Sequence, residues 1–278
     1  MQAEDLTNSK PRSLKALFAE YGDYKTSFKA LKKFSQNYIL DENFNHKIAS
    51  FVDNDDAVLE IGSGLGTLTR ALLDKKRNKI HLIEKDVRFK PLLEPLKDYG
   101  IENIIWGDAL KVDWSWLKCA TLVSNLPYSI ASQIFIKACY DPMIHTLVLM
   151  FQKEVAMKMV ADVGSSNYGR ISIIAQSIFQ LDLVLHAPSR LFIPPPKVDS
   201  AVIYGKRITG DSALNSSQIK NLETITQIAF SKKRKKVANS LGKVIAENIL
   251  RQAQITTDKR PQEISVAEYC QLAKLITN

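Results

Sequence analysis

The stretch Asn125-Leu126-Pro127-Tyr128 carries more chemistry than any other in this chain. An exocyclic amine on adenine is a poor nucleophile, because its lone pair is delocalised into the ring. An Asn side-chain oxygen and a neighbouring backbone carbonyl can accept its two N–H groups and localise that lone pair. Pro127 lacks an N–H, fixes its own φ and holds Leu126 extended, so the Leu126 carbonyl can be aimed at such an amine. Tyr128 adds a ring on which a base can stack. Attack on a sulfonium yields a product cation whose proton leaves readily, so no strong general base is required. Methylation at cytosine C5 would need a nucleophilic Cys in this region, and the sequence has none there. Read structurally, the same four residues are a strand-to-helix turn.

A second group of residues could hold a cofactor. Gly62, Gly64 and Gly66 follow an apolar run, and such glycines let the backbone turn sharply and approach a ligand before a helix N-terminus. Their spacing is not G-x-G-x-x-G, since Thr67 stands three after Gly64. With Glu60 two residues before the first glycine, the pattern resembles motif I of class I S-adenosylmethionine (SAM) methyltransferases. Glu84 is placed to accept from two ribose hydroxyls, and Asp108 could accept from an adenine amine.

These residues need a scaffold that brings them together. Ala57 to Ile61 reads as a buried strand, followed by the glycine turn and a helix over Thr67 to Leu73. Further strands read at Lys79 to Ile83, Asn103 to Trp106, Thr121 to Ser124 and His145 to Met150, with a helix over Arg88 to Asp98. Strands alternating with helices predict an α/β fold with a parallel sheet covered on both faces. Glu60, Glu84, Asp108 and Asn125 then fall at strand carboxyl ends, where ligands bind in such sheets. Ser200 to Tyr204 is strand-like, Thr209 to Ser212 is a linker, and helical spacing runs from about Ser216 with breaks near Thr256 to Pro261.

Composition narrows the function classes. The chain has 278 residues, 45% hydrophobic and 24% charged, as in a globular protein. Its longest apolar runs fall short of the roughly 18 residues needed to span a membrane. The polar, mixed-charge N-terminus carries Glu4, Asp5, Glu20 and Asp23 and no apolar stretch before a small-residue cleavage site, so it fits neither a secretory signal nor an acid-poor transit peptide, which predicts a cytoplasmic protein. Three cysteines without a Cys-x-x-Cys pair, and four scattered histidines, argue against a disulfide framework or a metal site. The net charge of +9 is uneven: 20 Lys and Arg face 19 Asp and Glu up to Met150, against 18 and 10 after it. That asymmetry predicts a phosphate-bearing partner, nucleic acid before membrane. Its densest point is Lys232-Lys233-Arg234-Lys235-Lys236, which elsewhere would be an ordinary solvated face.

Taken together, Ser35-Gln36-Asn37-Tyr38, Glu60-Ile61-Gly62-Ser63-Gly64, Ile83-Glu84-Lys85-Asp86, Gly107-Asp108-Ala109 and Asn125-Leu126-Pro127-Tyr128 resemble the ribosomal RNA adenine N6,N6-dimethyltransferases. Gln152-Lys153-Glu154-Val155, Tyr168-Gly169-Arg170, Phe192 through Ser200 and Ile264 through Tyr269 extend the resemblance, which is strongest to the bacterial small-subunit enzymes of the kasugamycin-resistance type. It implies a Rossmann-like class I SAM methyltransferase domain over 34–207, after a lead of 1–33, and a small all-helical RNA-binding domain over 208–278. The implied reaction is dimethylation of two adjacent adenosines in the loop of the 3′-terminal helix of 16S rRNA. The implied partner is an immature small subunit late in assembly; a monomer is the default expectation for the chain itself, and no metal is expected. Carried onto matching positions, Asn37 and Ile39 join the SAM pocket, Gly62 lies under the methionine moiety, Glu84 holds the ribose and Asp108 the adenine. Asn125 adjoins both cofactor and target amine, and Phe192 is the second face of a base sandwich with Tyr128. The basic run 232–236 faces RNA. Two residues depart from the usual bacterial pattern: Ser129 stands where Asn is common, and Ser35 where Gly precedes Gln.

Three other readings compete. Resistance enzymes that methylate one adenine of 23S rRNA share the fold, but typically carry Ile before the Pro. A non-catalytic RNA-binding assembly factor could retain the pocket. An NAD-dependent oxidoreductase is disfavoured by the glycine spacing.

Overall fold

A computed structural model describes residues 11–53, 56–75, 79–232 and 235–276. Contacts divide the chain into two compact units, Met1–Lys153 with Val184–Tyr204 and Glu154–Leu183 with Gly205–Asn278.

In chain order the first unit opens with helix α1 (Leu14–Tyr21), strand β1 (Tyr38–Ile39) and α2 (Glu42–Ala49). Then come β2 (Val58–Ile61), α3 (Thr67–Leu73), β3 (Ile80–Glu84), α4 (Lys90–Leu93), β4 (Ile101–Trp106), β5 (Thr121–Ser124), α5 (Ala131–Tyr140) and β6 (Thr146–Gln152). Every residue of β2, β3 and β5 is buried, as expected of strands covered on both faces. Parallel pairing joins β4 to β3, β3 to β2, β2 to β5 and β5 to β6, so the ends of these strands point the same way. Ser124 fixes their relative height, its hydroxyl donating to the Ile61 carbonyl.

The single helix expected over Arg88 to Asp98 is instead one α-turn flanked by 3-10 turns at Val87–Phe89 and Glu94–Tyr99. Pro91 and Pro95 mark the joins: each lacks a backbone N–H and stands in the first turn of its segment, where that N–H would have no partner within the segment.

Residues 11–33 of the lead join the core of the first unit. Leu17 and Phe28 are buried in the same core as Leu82, Leu92 and Val123. An aromatic series runs from Phe18 through Phe28, stacked 5.9 Å from Phe89, to Tyr38, edge-on to Phe89 at 6.1 Å.

The remaining elements are α6 (Lys153–Met159), α7 (Arg170–Ile178), β7 (Phe179–Ala187), β8 (Phe192–Ile193), β9 (Ser200–Arg207), α8 (Ser216–Phe230), α9 (Glu247–Gln252) and α10 (Val266–Leu275). The seven-stranded sheet has the order β4-β3-β2-β5-β6-β9-β7, and β1 pairs antiparallel with β8 beside it.

The second unit differs from the expected 208–278 domain by including residues 154–183. Tyr168 and Ile173 are buried with Leu222, Leu250 and Tyr269 in one helical core. The buried Tyr168 hydroxyl donates to the Ile264 carbonyl at 2.9 Å, and Gln176 donates to the carbonyls of Met159 and Ala161, both at 2.9 Å. The starts of α8 and α10 are capped as their sequences dictate: Asn215 with Gln218, and Ser265 with Glu268, form reciprocal capping boxes.

Candidate cofactor and target-base cleft

At the carboxyl ends of β2 to β5 the first unit opens into a cleft of about 1110 Å³, its mouth included. Asn37, Ile39, Gly62, Gly64, Glu84, Asp108, Asn125, Leu126, Pro127 and Tyr128 all line it. The structure thus brings together the cofactor and turn residues singled out in sequence from five separate segments.

The glycine turn forms the floor. Gly62 and Gly64 have φ of +74° and +52°, a region that favours glycine. Gly64 N–H donates to Glu84 Oε2 and Asp86 N–H to Oε1, both at 2.8 Å. Each carboxylate oxygen keeps a further lone pair for a hydroxyl. Burial pushes the Glu84 carboxyl up, and those backbone N–H groups pull it back in part.

Glu60 behaves differently. It is 2% exposed, and the Thr69 hydroxyl donates to its Oε2 at 2.6 Å. Burial pushes its carboxyl up to about 8, with Glu84 adding to the rise and Thr69 opposing it. The folded protein therefore holds a proton on Glu60 that the unfolded chain, near 4.5, has already lost. Stability from this group is full below 4.5 and declines as pH rises toward 8. Glu60→Gln is expected to flatten that decline, raising the melting temperature relative to the native protein at pH 8 and not at pH 4.5. Parallel melting curves at the two pH values check this, and an unchanged pH slope contradicts it.

Asp108 accepts from Leu110 N–H at 3.0 Å through Oδ1 and pairs with Lys85 at 2.9 Å through Oδ2. That hydrogen bond with Lys85 keeps its carboxyl below the ordinary aspartate value.

Asn125 follows β5. Its Nδ2 donates to the Asn37 carbonyl at 3.2 Å, which leaves Oδ1 as the acceptor of the side chain. Asn37 in turn donates to the Ser35 carbonyl at 3.3 Å. The Tyr128 hydroxyl shares a 2.6 Å hydrogen bond with Ser200, which restrains the ring. Pro127 packs over the glycine floor, its Cδ 3.5 Å from where a Cβ on Gly62 would stand.

The two departures from the usual family pattern face each other. Ser35, held at φ +51°, donates through its hydroxyl to that of Ser129 at 3.1 Å. Gln36 reinforces this wall: it donates to Asp86 at 2.9 Å and accepts from Leu31 N–H and the Tyr38 hydroxyl at 2.9 and 3.0 Å. Arg88 reaches the carbonyl of Lys29 at 3.2 Å and Asp86 Oδ1 at 2.9 Å, tying the lead to the end of β3.

Residues 27–278 match the family described as ribosomal RNA adenine dimethylase. The chain belongs to this family. Among similar proteins, the ribosomal RNA small subunit methyltransferase A of Caulobacter vibrioides is 37% identical, covering 88% of this chain and 96% of the relative. The protein of that name from Phenylobacterium zucineum is 38% identical, covering 88% and 87%. A dimethyladenosine transferase from Plasmodium falciparum has a TM-score of 0.70 at 28% identity, covering 84% of this chain and 95% of its own. The 23S rRNA methyltransferase ErmE has a TM-score of 0.66 at 25% identity, covering 86% and 99%.

This dimethylase is a SAM-dependent rRNA adenine methyltransferase. The cleft suits that cofactor: side chains are missing where Gly62 and Gly64 form its floor, and a buried carboxylate with spare lone pairs stands beside them.

Phe192 is placed differently from Tyr128. Phe192 does not line the cleft. It is 2% exposed, sits in β8 opposite Ile39 and packs into the core with Ile48 and Val202, so apolar burial holds its ring. Phe34 and Tyr38 are the further aromatic rings that do line the cleft. Of the basic run, Lys232, Lys235 and Lys236 are exposed after α8, while Lys233 and Arg234 lie outside the described residues. Among the described residues no His, Cys, Asp or Glu cluster could hold a metal, and no helix is long and apolar enough to cross a membrane.

Proposed function

We propose that this dimethylase converts two adjacent adenosines in the loop of the 3′-terminal helix of 16S rRNA to N6,N6-dimethyladenosine, acting as a cytoplasmic monomer on an immature small subunit. The observation that carries the chemistry is the Asn37–Asn125 hydrogen bond, which commits Nδ2 and leaves Oδ1 to accept. The names of the relatives at 37% and 38% identity favour the small subunit as the source of the RNA.

In this reading Glu84 holds the ribose hydroxyls, Asp108 the cofactor adenine, and Asn37, Ile39, Gly62 and Gly64 shape the remaining walls. Bound SAM supplies an electrophilic methyl carbon on a sulfonium. Tyr128 stacks on the target base, and Asn125 Oδ1 and the Leu126 carbonyl accept the two N–H groups of its amine. The N6 lone pair, turned out of the ring, forms the new C–N bond while the C–S bond breaks, and the N6 proton leaves to water. After one transfer the amine keeps a single N–H, for which one acceptor suffices, so the same groups can serve the second. Lys232 to Lys236 contact phosphates, which makes RNA affinity fall with salt.

Small subunits lacking the modification, incubated with labelled SAM and this protein, are expected to take up label, whereas large subunits are not. Label entering 23S rRNA instead would overturn the choice of substrate.

A further inference from the structure

Lys137 lies on α5 and does not line the cleft, yet its ammonium is wholly engaged by a segment that does. Nζ donates to the carbonyls of Ala109 at 2.9 Å and Leu110 at 3.4 Å, and to that of Val112 at closer range. The Trp114 ring, 3% exposed, covers the same nitrogen at 4.2 Å from its centroid. Three carbonyl dipoles converging on one point repel one another unless a cation stands between them, and an ammonium has three N–H groups to offer.

The carbonyls converge because the loop is wound tightly. The Asp108 carbonyl accepts from both Lys111 and Val112 N–H, at 2.8 and 2.9 Å, while Asp108 Oδ1 accepts from Leu110 N–H. At the other end, Gly107 N–H donates to the Glu84 carbonyl at 2.9 Å. Asp108 and Ala109, at the top of this loop, line the cleft. Burial lowers the proton affinity of Lys137, and Asp113 and Asp108 oppose that effect.

We infer that Lys137 is a positioning residue for cofactor binding: its ammonium fixes the Gly107–Val112 loop in the shape that receives the adenine ring, and ties that loop to the helix following the Asn125 turn. The inference rests on the reading that Asp108 takes the adenine amine.

The test compares Lys137→Met, Lys137→Arg and Asp108→Ala with the native protein. Titration calorimetry measures 5′-methylthioadenosine, which keeps adenine and ribose but lacks the amino-acid tail, and S-adenosylhomocysteine. Lys137→Met is expected to weaken both about tenfold, to speed amide exchange at Leu110–Val112, and to raise the KM for SAM while kcat at saturation stays within about twofold. Lys137→Arg, with several donors and a plane to stack on Trp114, is expected to restore most of the affinity. Lys137→Gln replaces the Met variant should that one not fold. Native affinity in the Met or Gln variant, with Asp108→Ala impaired, overturns the role of Lys137. Native affinity in Asp108→Ala overturns the underlying assignment of the adenine. A lowered melting temperature with unchanged ligand affinity shows a purely structural lysine and overturns the inference as well.

Discussion

Asn125→Ala is expected to abolish methyl transfer, with kcat falling at least about a thousandfold, while the affinity for S-adenosylhomocysteine changes no more than about threefold. The asymmetry follows from the hydrogen bonds. The alanine variant lacks Oδ1, the one acceptor the Asn37 contact leaves free, and with it the means to localise the amine lone pair. The variant keeps Glu84 on Gly64 and Asp86, and it keeps Ser124 on Ile61, so the cofactor side of the cleft stays formed. Asn125→Asp discriminates further. An ionised carboxylate still accepts, but it cannot donate to the Asn37 carbonyl, so activity should be low and measurable instead of absent. Single-turnover transfer to RNA, run beside calorimetry of the cofactor product, reads both quantities. A thousandfold loss of cofactor affinity in Asn125→Ala would show that the side chain builds the cofactor site and would remove its proposed role at the target amine.

Glu84→Ala is expected to have the largest effect on cofactor affinity. It deletes the two oxygens that accept from Gly64 and Asp86 N–H, as well as the lone pairs offered to the ribose. Hydrogen bonds to a charged group contribute about 1.5–3 kcal/mol each, so loss of two ribose contacts weakens binding by about a hundredfold or more. Because the carboxylate also braces the glycine turn, the melting temperature should fall too. Glu84→Gln separates the two effects: its amide oxygen still accepts from one backbone N–H, but its NH₂ group faces the other. The Gln variant should therefore fold better than the Ala variant and still bind SAM poorly. Near-native SAM affinity in a folded Glu84→Gln protein would contradict the ribose assignment.

The parts of this site that lie at strand ends were legible in the sequence, because apolar runs closing on Glu60, Glu84, Asp108 and Asn125 mark both the strand and its functional end. The bounds of α3 and β5 came out as read, since Gly66 and Asn125 punctuate them. Where punctuation was missing, reading failed. β7 follows α7 with no residue between them, Ile178 ending one and Phe179 beginning the other, so no Gly or Pro announces the change of period. The grouping of residues 154–183 with the C-terminal helices was also hidden, because it depends on where Tyr168 finds its partner, far along the chain at Ile264.

Contacts between distant segments account for the other differences. Nothing in the pattern around Asn125 announces that its amide is committed to Asn37, or that Ser35 and Ser129 meet. Phe192 shows the same dependence: its place beside Pro194 to Pro196 says nothing of its pairing with Ile39 or of the close packing around its ring. In the lead, Leu17 and Phe28 are core residues, and Arg88 and Gln36 connect Lys29 and Leu31 to the cleft wall, contacts that no local pattern announces.

The central claim, that this cleft dimethylates adjacent adenosines near the 3′ end of the small-subunit RNA, is tested most directly by mapping the product. Unmodified small subunits would be treated with the native protein and SAM, and the RNA digested and sequenced by mass spectrometry. N6,N6-dimethyladenosine is expected at two neighbouring positions in the loop of the 3′-terminal helix, and none with Asn125→Ala. Modification confined to another position, or only monomethyladenosine at saturation, would contradict it.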